Sequence, residues 1–77
     1  MSKQRIVAYY ADNQTKRCEC TTNNCADALL VAVSLSSNRL GEVHVIDGEM
    51  TDVYQNGTAV RREYFGVVEF VQQPTKL

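Results

Sequence analysis

A chain of 77 residues, 44 % of them apolar and 22 % charged, has room for one hydrophobic core and no second, so a single domain spanning 1–77 is expected. One Pro and four Gly exclude the composition of a disordered or collagen-like chain. Eight Lys and Arg against nine Asp and Glu leave a net charge of -1, so no overall basic field holds the protein on nucleic acid or an anionic membrane.

From Arg5 to Ala11 the chain is β-branched and aromatic and then meets Asp12-Asn13, which reads as a strand followed by a turn. Only four or five apolar residues precede Asp12, too few for a secretory signal. Lys16 to Thr22 alternates, with Cys18 and Cys20 on one side and Arg17, Glu19 and Thr21 on the other, so a second strand closes a hairpin with the first. Thr21 to Asn24 offers several helix caps, and Asn24 with Asp27 resembles a capping box, predicting a helix from Cys25 to Ser37. Gly41 supplies its C-terminal stop and Arg39 the cation at its carbonyl end.

Beyond Glu42 the turn signals are clear. Asp47-Gly48 and Asn56-Gly57 separate Val43–Ile46, Met50–Gln55 and Thr58–Phe65, which predicts a meander of two hairpins. Gly66 sets off a last apolar run through Val71, either an edge strand or a continuation past a bulge, and Pro74 ends it. The order β-β-α-β-β-β, with one further strand if the last run pairs separately, predicts an α+β fold. Its antiparallel sheet of about five strands carries one helix on one face.

Around the helix, Leu29, Val33, Ala26 and Leu30 form one apolar sector and Val31, Leu35, Ala28, Ala32 and Cys25 another. A helix lying on one sheet should show solvent a broader polar face. Leu30, Val31, Val33 and Leu35 are therefore candidates for a self-association surface, for which a two-fold homodimer is the commonest closed arrangement. The competing reading is a sheet that curls around the helix, or alanines and serines on its outer side that leave only a harmless apolar patch.

The longest uncharged run, Ala28 to Asn38, falls well short of the roughly 20 residues that span a bilayer. Three cysteines without a secretory signal suit a reducing, cytoplasmic compartment. Cys18, Cys20, Cys25 and His44 lack the paired spacing of zinc knuckles, and Cys18 and Cys20 are expected to enter the core as small hydrophobes. Cys25 at the helix start with His44 across the sheet would be a thiol and its base, but no oxyanion donor or orienting group accompanies them. No metal, no cofactor and no catalysis are expected.

Two charged features remain. Glu42, Asp47, Glu49 and Asp52 fall close together with no Lys or Arg among them, an acidic edge that with an exposed Tyr54 would face a basic partner. Arg17, Arg61 and Arg62 belong to basic doublets that would gather into a nucleic-acid surface if the first hairpin lay beside the last strands.

A short N-terminal hairpin, one Ala-rich helix and a C-terminal meander containing Glu42-Val43-His44-Val45-Ile46-Asp47-Gly48 and Val53-Tyr54-Gln55-Asn56-Gly57 resemble several small anti-CRISPR and host-takeover proteins of phages. The resemblance covers most of the chain as an order of elements. It implies a protein that occupies a surface of a larger nucleic-acid-handling complex in the host cytoplasm, without catalysis. The function expected is thus a non-catalytic binding protein, and the alternative a nucleic-acid-binding domain using the Lys/Arg doublets.

Overall fold

The computed structural model describes residues 3–37 and 40–71. Six strands and one helix follow in the order β1 (Gln4–Tyr9), β2 (Lys16–Thr22), α1 (Cys25–Ser36), β3 (Val43–Asp47), β4 (Met50–Gln55), β5 (Thr58–Tyr64) and β6 (Val67–Phe70). The strands form one sheet in the order β2-β1-β3-β4-β5-β6, and every neighbouring pair is antiparallel. The fold is α+β as expected. It has six strands because the last apolar run turns back at Phe65-Gly66 and pairs with β5. Arg39 and the tail from Gln72 lie outside the described residues.

Turn chemistry explains the meander. Asn56 and Gly57 both have positive φ, as a two-residue hairpin turn requires. The preceding turn is shifted by one from the sequence expectation: Asp47 still pairs with Met50, so Gly48 and Glu49 make the turn and only Gly48 has positive φ.

The helix begins where Asn24 Oδ1 accepts the amides of Ala26 and Asp27. It lies on the face carrying Ile6, Ala8 and Val43, and meets them through Ala28 and Ala32. With Ser36, these two are the buried helical positions, spaced four apart. A stripe of small side chains brings the helix backbone close to the sheet, and Val31 and Leu35 flank it against the core together with Val45 and Tyr54. Gly41 does not end the helix, whose C-cap is Ser37. Gly41 is instead wedged against β1, where an added Cβ would sit 1.9 Å from the Tyr10 carbonyl oxygen.

The sheet does not wrap the helix. The main contacts of α1 are with β1, β2, β3 and β4. On the opposite face, Val7 and Val53 are buried although no element among the described residues covers them. They lie in a row with His44 and Arg61 between and beside them, and these larger side chains shield the valines from water.

Candidate functional site

Two residues of the acidic edge, Glu42 and Asp52, turn out to be the partners of one basic doublet, Arg61 and Arg62. The Arg61 guanidinium donates from Nη1 and Nη2 to the Glu42 carboxylate at 2.7 and 3.1 Å, and from Nε to Glu63 at 2.9 Å. His44 Nε2 lies 3.1 Å from Glu42 Oε1, the oxygen that Nη2 also reaches. Glu42 is buried, and the hydrogen bonds from Arg61 hold its carboxyl below the usual carboxylate range despite the opposing cost of burial. The same pairing pushes the Arg61 guanidinium up, so it stays charged. Glu42 is therefore an internal counter-ion, which corrects its assignment to a partner-facing edge.

Asp52 is committed in a similar way, accepting from Arg62 Nε at 2.7 Å across β4 and β5. Asp47 is half-buried and accepts from Gln4 at 3.4 Å. Tyr54 is not exposed: it packs against the core cluster, and burial pushes its phenol up. Of the acidic edge, Glu49 alone is exposed.

Arg17 belongs to neither a basic patch nor the polar face of β2. A register shift at Ala8/Tyr9 redirects it, and Nη2 donates to the Leu35 carbonyl at 3.0 Å. It supplies the cation at the helix C-terminus that the sequence assigned to Arg39. The strand order also separates it from Arg61 and Arg62, because β1, β3 and β4 intervene between β2 and β5. At about 4.8 Å per strand, Arg17 and Arg61 sit on strands roughly 19 Å apart. The surface that would have joined the three arginines does not form.

The cysteines behave differently from expectation as well. Cys18 and Cys20 are exposed because β2 is an edge strand at the rim of the helix. Cys25 accepts from Gln4 Nε2 at 3.1 Å on the helix side of the sheet. His44 lies on the other face, stacked edge-on against Tyr9 at 4.9 Å, so it cannot serve Cys25 as a base. No group of three or more potential metal ligands comes together among the described residues.

The association candidates on the helix divide. Val31 and Leu35 are spent on the core, and Val33 is half-buried. Leu30 is 67 % exposed and Leu29 stands beside it in water.

A more extensive apolar surface lies where the helix does not reach. Tyr64, Phe65, Val67, Val68, Phe70 and Val71 are all exposed along the β5–β6 hairpin. Phe65 is 65 % exposed and has φ of 49°, a left-handed conformation that a bulky side chain rarely adopts. The equivalent position in the β4–β5 hairpin is Asn56, a residue suited to it. Phe65 and Tyr64 contact edge-on at 4.5 Å, and the Phe65 amide donates to the Glu49 carbonyl at 3.4 Å. Two turns thus meet at one end of the sheet, presenting Glu49, Tyr64 and Phe65 together. The sequence signal for this surface was the loss of alternation in Val67-Val68 and Phe70-Val71, which leaves apolar side chains on both faces of a strand.

No family model, curated protein or solved structure matches the chain. No helix among the described residues is long and apolar enough to cross a membrane.

Proposed function

We propose that the protein is a small non-catalytic binding protein that occupies a surface of a larger macromolecule, and that it meets this partner with the sheet end formed by Glu49, Tyr64 and Phe65. One observation carries the reading: an exposed phenylalanine is held in a left-handed turn position at a cost to the free protein. Aromatic side chains on a rigid turn supply much contact area with little entropy to lose, which suits a protein interface. The exposed Glu49 beside them favours a partner with a basic surface. The phage resemblance supplies a setting, an inhibitor of a host nucleic-acid machine that works in the host cytoplasm by steric occupation.

Direct nucleic-acid binding has less support, since Arg17, Arg61 and Arg62 are all engaged within the chain. The test is quantitative affinity capture from a host lysate with immobilised wild-type protein, Glu49→Lys and Phe65→Asn, each checked by circular dichroism. A basic protein or complex retained by the wild type and reduced about tenfold or more on both folded variants is expected, equivalent to about 1.4 kcal/mol. A partner retained equally by both variants would remove this end of the sheet from the account.

A further inference from the structure

We propose that β6 is the pairing edge of a two-fold homodimer, in which β6 adds antiparallel to β6 of a second copy with Val68 at the axis. This inference is independent of the partner-binding end of the sheet and places self-association on the sheet edge, away from the helix.

The two edges of the sheet differ in how they meet solvent. On β2, Lys16 and Arg17 and a register shift against β1 interrupt the edge, and Glu19 holds ion pairs with Lys16 and Arg5. Such charges and irregularities discourage a further strand. β6 carries one charge, Glu69, and every one of its residues is exposed. No register shift disturbs its pairing with β5.

Its backbone is directed to receive a strand. Tyr64 and Val67 close the two-residue turn, and the Val71 amide donates to the Val60 carbonyl at 3.0 Å. Alternation then turns the backbone groups of Val67, Glu69 and Val71 toward β5 and those of Val68 and Phe70 outward.

A two-fold axis normal to the sheet keeps each face on its own side, so it runs between the two strands and opposes one residue of β6 to its own copy. Centring on Glu69 sets two carboxylates directly opposite, which is unfavourable. Centring on Phe70 overlaps the two copies of β6 only at their last residue. Centring on Val68 opposes Val68 to itself, places Val67 against the partner's Glu69, and lays Phe70 over the partner's Gly66, where no side chain obstructs the ring. Glu69 keeps Arg62 of its own chain as the neighbouring cation across the hairpin.

The area is adequate for a modest dimer. Phe70 is 74 % exposed and Val67 68 %, and with Val68 and Val71 the exposed apolar surface amounts to roughly 400 Å² per copy, against about 800 Å² per partner in a standard interface. Two backbone hydrogen bonds between the opposed Val68 residues supplement it.

Light scattering across a concentration series in reducing buffer is expected to give a mass approaching twice 8.6 kDa. Val68→Lys and Val68→Glu should each weaken association about 100-fold by setting like charges at the axis, while an equimolar mixture of the two should regain the double mass. Leu30→Glu on the helix should leave the mass doubled. In the wild type, amide exchange followed by NMR should show Val68 and Phe70 protected at high concentration and open on dilution, which needs no variant to fold. A wild type that stays monomeric, a dimeric Val68→Lys, folded variants whose mixture stays monomeric, or unprotected Val68 and Phe70 amides at high concentration would each overturn the proposal.

Discussion

Glu42 takes two guanidinium bonds from Arg61 and faces His44, so its charge is a structural requirement of the open face of the sheet. Its carboxyl is held below its ordinary value of 4.5, chiefly by Arg61. A depressed folded-state value means that the ionised group stabilises the fold above pH 4.5 and that this contribution is lost as pH falls through the lower, folded-state value. Glu42→Gln is expected to cost about 1–3 kcal/mol at neutral pH, by leaving Arg61 with Glu63 alone, and to flatten the loss of stability in acid. Urea titrations at neutral and acid pH measure both effects. Asp12 and Glu19 are lowered in the same sense by hydrogen bonds from Thr15 and Lys16, so some acid sensitivity should persist in the variant. At Phe65 the balance differs. Replacing it by Asn relieves the left-handed backbone and loses the edge contact with Tyr64, so stability should change by less than about 1 kcal/mol while partner capture falls.

At the scale of elements, the helix is joined to the meander by a residue of its last turn. Ser36 is buried, donates to the Val33 carbonyl at 3.2 Å and accepts the Gly57 amide at 3.0 Å. Ser36→Ala would leave the Gly57 amide without its acceptor, and a loss of about 1–2 kcal/mol is expected in thermal or urea unfolding. Leu30→Glu, on the outer side of the same helix, should stay within about 0.5 kcal/mol of the wild type. The contrast tests whether the small-residue stripe is the face on which the helix is held. The caps of this helix were legible in unequal measure. Asn24 was readable because its partners are two and three residues away. Arg17 was not, because it reaches Leu35 from an edge strand through a register shift that no local pattern announces.

Across the whole molecule, one helix covers four strands of a six-stranded sheet, and the uncovered hairpin carries most of the exposed aromatic and branched side chains. Charge is distributed to opposite effect: Arg61 and Arg62 are paired with Glu42, Glu63 and Asp52, Arg17 is held on the helix carbonyl end, and the arginines of β2 and β5 stand apart. No gel shift with single- or double-stranded DNA is expected at low salt. A shift abolished by Arg62→Ala and steeply weakened by salt would instead favour the nucleic-acid reading. The fold class, the helix start, the β4–β5 turn and most strand limits followed from the sequence because alternation, caps and turn residues act over a few positions. The strand order, the pairing of Glu42 with Arg61 and of Asp52 with Arg62, and the exposure of the β5–β6 hairpin required the folded sheet. They depend on which strands become neighbours and how far one short helix extends across them, and those are properties of the packed chain that no local stretch of residues contains.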